Sequence, residues 1–308
     1  MTLQQLEYFV AVFRIRHFAK AAEVCGVTQP TLSAMIQKLE KELGVKLFER
    51  SSQQVLPTPI GKMLAEQAHT ILAEADRLKA MVDEERNVLS GTFRLGILPT
   101  IAPYLLPRLM PYLQRKYPHT KIQVVEMKTN ELRQALTDGE VDAAILVKVE
   151  PFAEFDCRTL FYEQFLTYIS REHPLFARTA IKTADLQTDH LLLLDEGHCF
   201  RDQLVRFCHL KAARASQSTY KLGSIETFMR IVESGCGVTF IPELALEQLT
   251  AAQKELVRPF AIPIPTREIV MLTVKHFVRQ MWLDTLVDAV RRCVPARMLT
   301  LNNTEQRL

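Results

Sequence analysis

The residues with the most legible chemistry are two cysteines nine positions apart, in Gly197-His198-Cys199-Phe200-Arg201-Asp202-Gln203-Leu204-Val205-Arg206-Phe207-Cys208. A cysteine is a nucleophile only as its thiolate, which nearby cations or a helix N-terminus favour. His198 and Arg201 flank Cys199, and a helix beginning beside it would add to their effect. Asp202 can orient Arg201, although its own charge opposes the thiolate. On a helix, nine residues span ~13–14 Å of rise and end on opposite faces. A disulfide needs Cα atoms within ~7 Å. Helix and disulfide therefore exclude each other in this segment.

The chain has 6 cysteines in all. Cys25 falls among helical core residues. Cys157, Cys236 and Cys293 sit in apolar strand or helix contexts and read as packing. At 308 residues the chain predicts two or three domains. With 48% apolar and 24% charged residues it can bury a core without staples. No apolar run reaches the ~18 residues of a membrane span, and Met1–Gln5 lacks the basic-then-apolar start of a secretory signal. The expectation is a cytoplasmic protein with reduced thiols. Its net charge of +3 is too small to argue for nucleic acid, so that case must rest on geometry. Nothing in the pattern calls for a cofactor or a metal.

Three regions position these residues. Residues 1–58 are helical. Leu3, Leu6, Phe9, Val10 and Phe13 make one apolar stripe, and a second helix spans Phe18–Cys25. Gly26 breaks it, and Thr28 caps a third helix that has Pro30 in its first turn. Leu32, Met35, Ile36 and Leu39 share a face of that helix. This is a helix-turn-helix, with Ser51–Thr58 as a wing. In residues 59–90, Leu64, Ala68, Ile71, Ala75, Leu78 and Val82 form a heptad-like seam, which predicts a linker helix pairing with a second copy. In residues 91–308, strands at Thr92–Leu98, Lys121–Met127 and Val141–Val147 alternate with helices and predict a parallel α/β sheet. Further strands are expected at Gln164–Ile169, Leu191–Leu194, Gly237–Ile241 and Ile269–Val274. Thr100 and Thr129 follow the first two strands, where open α/β sheets bind ligands.

Phe18-Ala19-Lys20-Ala21-Ala22, Thr28-Gln29-Pro30-Thr31-Leu32-Ser33, Ile36-Gln37-Lys38-Leu39-Glu40 and Leu43-Gly44-Val45-Lys46-Leu47-Phe48-Glu49-Arg50 resemble the DNA-binding domain of LysR-type regulators. The match runs in order, at family spacing, over nearly all of residues 3–62. A recognition helix puts its N-terminal side chains at base edges in the major groove. Gln29, Pro30, Thr31, Ser33 and Gln37 are the expected recognition set, with Lys38, Lys46 and Arg50 on phosphates. Paired recognition helices imply a two-fold-related operator on double-stranded DNA.

The resemblance implies an α+β multidomain protein. An all-α winged helix-turn-helix and linker helix precede an α/β regulatory domain like a periplasmic binding protein. The domain would have two subdomains, I at about 91–162 and 266–300 and II at about 163–265, with crossovers near Tyr162 and Pro265. The cysteine segment, with its G-H-C-x-R-D-x5-C pattern, resembles the redox segment of the peroxide-sensing OxyR branch. By that resemblance Cys199 is peroxidatic and Cys208 resolving, Thr100 and Thr129 help hold hydrogen peroxide, and Arg267 adds field. Oxidation would then have to unwind or move residues 200–207. A homodimer or homotetramer, contact with RNA polymerase and resetting by a thiol reductant are implied as well. The alternatives are a LysR-type regulator of a small organic effector and, against the DNA-binding half, a thiol peroxidase.

Overall fold

The computed structural model describes residues 1–50, 55–85, 89, 91–149, 152–186, 191–194, 199–208 and 224–308, side chains at 50, 76–77, 79–81 and 83–85 excepted. Two compact units result, Met1–Val88 with Thr137–Glu140, and Leu89–Leu136 with Val141–Leu308.

In the first unit α1 (Leu3–Ile15) opens on a capping box: Gln5 N donates to Thr2 Oγ1 at 3.3 Å and Thr2 N to Gln5 Oε1 at 2.8 Å. Helix α2 (Phe18–Val24) ends one residue before the expected Cys25, which instead caps it. Helix α3 (Gln29–Leu43) starts at Thr28, carries Pro30 in its first turn, and stops at Gly44 with φ 70°, a left-handed conformation that glycine adopts without strain. Leu6, Phe9, Ala21, Ala22, Leu32, Ile36 and Leu39 close one core. The wing is a hairpin of β1 (Phe48–Arg50) and β2 (Val55–Pro57), and residues 51–54 lie outside the described set.

Helix α4 (Pro59–Glu85, 27 residues) corrects the seam expected on it. Leu64, Ala68 and Ile71 pack into the unit's own core, while Leu78 and Val82 are exposed. The reason is length: at 1.5 Å per residue the helix is about 40 Å long and outruns a small domain. The seam residues up to Ile71 are therefore covered, and Leu78 and Val82 are bare.

The second unit begins with β3 (Thr92–Ile97), α5 (Ala102–Lys116), β4 (Lys121–Glu126), α6 (Thr129–Thr137) and β5 (Ala143–Val147). β3 lies parallel to β4 and to β5. Gly96 lets α6 close on β3, because a Cβ there would strike Leu132. Next come β6 (Phe155–Ile169), α7 (Cys199–Phe207), α8 (Ile225–Glu233), β7 (Val238–Pro242), α9 (Ala251–Lys254), β8 (Val257–Pro259), β9 (Ile264–Val274), α10 (Gln280–Cys293) and β10 (Glu305–Arg307). The order β4-β3-β5-β9-β6-β7 is mixed, with β9 antiparallel to β5 and β6.

The expected strands Gln164–Ile169 and Ile269–Val274 are the ends of longer ones. β6 pairs with β9 up to Gln164 and with β7 from Phe165, so one strand serves two sheets. Its first half mixes polar and apolar residues, which hides it from a search for apolar runs. Leu191–Leu194 is not a strand; Leu191 makes only a single bridge to Val238.

Candidate functional site: a buried thiol and its cation, and a helix-turn-helix face

Four elements converge on Cys199. The cysteine opens α7, and Thr129 opens α6. Thr100 lies in the turn between β3 and α5, and Arg267 projects from β9. Arg267 is 1% exposed. Its Nη1 donates to Thr100 Oγ1 at 3.3 Å and its Nη2 to the Thr100 carbonyl at 3.0 Å. Its Nε donates to Glu163 Oε2 at 2.8 Å, and Nη2 reaches the same oxygen at 2.6 Å. The guanidinium lies 5.1 Å from the ring centre of Phe200, the residue after Cys199. Glu163 and Arg267 are cross-strand partners of β6 and β9, and Glu163 Oε1 also accepts from Leu244 N at 3.0 Å. The buried carboxylate is fully used.

Burial pushes the Cys199 thiol above its ordinary range. The Arg267 charge, the Thr129 hydroxyl and the Phe200 amide pull the other way, while Asp202 adds to the rise. Thr129 Oγ1 is buried without a hydrogen bond of ordinary geometry, as is the hydroxyl of Tyr104. Burial and then Glu226 raise the Tyr104 phenol. The Thr129 hydroxyl and a fixed guanidinium beside a sulfur can hold a small hydroxylic molecule against it. Arg201 is engaged elsewhere, with its Nη1 3.5 Å from Asp202. Among the described residues, the cation acting on the sulfur thus comes from a strand sixty-odd residues away, and not from Arg201. His198 lies outside the described residues.

Cys208 is buried at the far end of α7, its amide donating to Leu204 O at 2.9 Å. Burial pushes its thiol up to about 12. Both cysteines are free, and the helix between them keeps their Cα atoms about 13 Å apart.

On the helix-turn-helix, Gln29, Pro30, Thr31, Gln37 and Lys38 are exposed and Ser33 is half-exposed. Thr31 is drawn into the cap, its amide and hydroxyl meeting Thr28 Oγ1 at 3.4 and 2.8 Å. Lys46 lies 3.5 Å from Glu40. That glutamate is buried and accepts from the amides of Leu47 and Phe48 at 2.8 and 3.4 Å, which ties the wing to α3. Arg50 ends β1, and its side chain lies outside the described residues.

The model of the LysR-family bacterial regulatory helix-turn-helix protein matches residues 3–62, and that of the LysR substrate binding domain matches residues 86–294. The DNA-binding transcriptional dual regulator OxyR of Escherichia coli K12 is 37% identical over 291 residues, 94% of this chain and 95% of that protein. A full-length OxyR variant from Pseudomonas aeruginosa superposes with a TM-score of 0.79 at 36% identity, covering 98% of this chain and 99% of that one. The chain belongs to the LysR family, in its OxyR branch. A hydrogen-peroxide-bound OxyR mutant from Corynebacterium glutamicum is also similar, with TM-score 0.63, 28% identity, and 95% of this chain and 92% of that one covered.

In this OxyR-type chain two cysteines depart from the packing expected of them. Cys293 is buried and Cys25 partly so, but Cys157 and Cys236 are exposed. Cys236 stands between Gly235 at φ 105° and Gly237 at φ 69°, a tight turn that leaves it at the surface. Glu163 and Tyr104 carry no local sequence signal; only their partners' positions reveal them. Among the described residues no helix is long and apolar enough to cross a membrane.

Proposed function

We propose that this LysR-family chain is a hydrogen-peroxide-responsive transcription regulator switched by Cys199 and Cys208. The observation that carries the reading is the Arg267–Thr100–Thr129 set assembled around the sulfur at one end of α7, with a second thiol at the other end. The Cys199 thiolate attacks one peroxide oxygen and the O–O bond breaks. Sulfur is oxidised to sulfenic acid, and hydroxide leaves and is protonated to water. Arg267 and Thr129 favour the thiolate, and the Thr129 and Thr100 hydroxyls orient the peroxide. The Cys208 sulfur then attacks the sulfenic sulfur, the S–S bond forms, and its thiol proton leaves with hydroxide as a second water. Because α7 keeps the cysteines apart, this step requires residues 200–207 to unwind or move. A thiol reductant reverses it.

Residues 1–58 bind a two-fold-related operator through Gln29, Pro30, Thr31, Ser33 and Gln37, with Lys38, Lys46 and Arg50 on phosphates. Residues 59–90 pair copies into a dimer or tetramer, and residues 91–308 sense the signal. The refolding changes the spacing of DNA-binding heads and thereby contact with RNA polymerase. The relatives' names and the peroxide-bound relative support the signal. Peptide mapping after stoichiometric peroxide tests the reading, the expected product being a Cys199–Cys208 disulfide with the other four thiols free. A full transcriptional response to peroxide in Cys199→Ser would overturn it in favour of an organic effector, and many turnovers of peroxide per subunit would point to a peroxidase.

A further inference from the structure

Phe200, Gln203 and Leu204 are the buried side chains of α7, and among the described residues of that helix Gln203 is the only buried polar one. Its amide is not spent within the helix. Nε2 donates at 3.2 Å to the carbonyl of Leu308, 105 positions further along the chain. Leu308 follows β10 and packs against the core. A buried amide needs a partner, so this bond ties the middle of the segment between the two cysteines to β10.

β10 itself is held on β9. It pairs there with Ile264, Pro265 and Thr266. Ile264 N donates to Thr304 O at 2.9 Å, and Leu308 N donates to Thr266 O at 3.0 Å. Arg307 Nη1 donates to Glu268 Oε2 at 2.9 Å, and that carboxylate is buried. Gln164 Nε2, from β6, donates to Glu305 Oε1 at 2.6 Å. Successive residues of a strand face opposite ways: Arg267 meets Thr100 and Glu163, whereas Glu268 meets Arg307. One stretch of β9 thus fixes the cation at Cys199 on one side and β10 on the other. Because β10 has these anchors on β9 and β6 and only the Gln203 bond to α7, that bond is the one that must break when residues 200–207 unwind or move.

We propose that Gln203 is a positioning residue and β10 a strap, and that together they hold α7 in the arrangement that keeps Cys208 from Cys199. The consequence for the disulfide rests on the thiol-switch reading; the restraint on α7 does not. The first step, on Cys199, needs no movement of α7, so the strap bears on disulfide formation and not on sulfenic acid formation. A neutral hydrogen bond shifts an equilibrium about two- to tenfold, and its loss favours the opened segment by that factor.

The experiment compares the full-length chain with one shortened after Thr304, each with and without Gln203→Met, which keeps the side chain's size and removes its donor. In the reduced proteins, hydrogen exchange in peptides covering residues 199–208 should be about two- to tenfold faster in the shortened chain. Shortening should change nothing once Gln203→Met is present. Arg307→Ala loosens β10 without shortening the chain and should shift exchange in the same direction. Unchanged exchange in the shortened chain, or the same increase in both backgrounds, overturns the strap. After stoichiometric peroxide, disulfide formation should quicken by the same factor in the shortened chain. Dimedone trapping of the sulfenic acid, followed in a Cys208→Ser background, should keep its rate. Equal quickening of both steps would mean that shortening loosens the Cys199 site itself, and overturns the assignment to the second step. Faster exchange with no disulfide in any chain that retains both cysteines would overturn the thiol-switch reading and leave the strap standing.

Discussion

Glu163 and Arg267, 104 positions apart in the chain, form a fully buried ion pair at 2.6 Å across β6 and β9. Arg267 also holds Thr100 and sets its charge on Cys199. Removing one partner of such a pair leaves an uncompensated buried charge and costs about 3–5 kcal/mol. Glu163→Ala should therefore lower unfolding stability by that amount in urea titration. The double change Glu163→Leu with Arg267→Met should recover much of the loss while leaving Cys199 oxidation slow, which separates the pair's packing role from its electrostatic one.

The Cys199 thiol is raised by burial and pulled back by Arg267 and Thr129. Thr129→Val removes one of the groups favouring the thiolate, so the thiol moves further up. Each unit of that rise cuts the thiolate present at pH 7 about tenfold. Iodoacetamide alkylation followed against pH should show the midpoint shifted to higher pH, with a slower rate at neutrality. An unshifted midpoint would mean that the hydroxyl does not act on the sulfur.

Cys208 titrates near 12 in the folded protein against about 9 for an ordinary thiol. The unfolded chain thus releases this proton first as pH rises. Stability from the neutral buried thiol is present below about pH 9 and is lost as pH climbs toward 12. Thermal melts of the reduced protein should fall more steeply over that window for the native chain than for Cys208→Ala.

Among the described residues Lys38 is exposed with no ion pair, while Lys46 sits beside the buried Glu40. If Lys38 contacts a phosphate, Lys38→Ala should reduce the salt slope of operator binding by about one and weaken all sequences alike. Gln29→Ala should cost about 1–3 kcal/mol on the cognate operator and relax base selectivity. Binding isotherms at several salt concentrations distinguish the two behaviours.

Leu78 and Val82 are bare on the second half of α4. If they form the contact between copies, Leu78→Asp with Val82→Lys should shift sedimentation toward the monomer. Leu64→Ala should act on stability instead, since Leu64 packs into its own domain's core.

Local chemistry made much of this protein legible from its residues alone. Thr28, Pro30 and Gly44 punctuate α3, and the 3–4 apolar spacing marks its buried face. Caps and helical stripes depend on neighbours a few positions away, so the sequence carries them directly. The same holds for the conflict between α7 and a Cys199–Cys208 disulfide, because helical rise is a local quantity. What joins distant segments required the fold. The spacing on α4 predicts one continuous seam, yet only the packing of α1 decides where coverage ends. The β6 strand looked shorter than it is because its two halves face different sheets. Among the described residues, the cation that acts on the sulfur stands on β9, and Glu163 is meaningful only because β6 and β9 set it opposite Arg267. Burial and cross-strand pairing are properties of which segments meet, and no local pattern contains them.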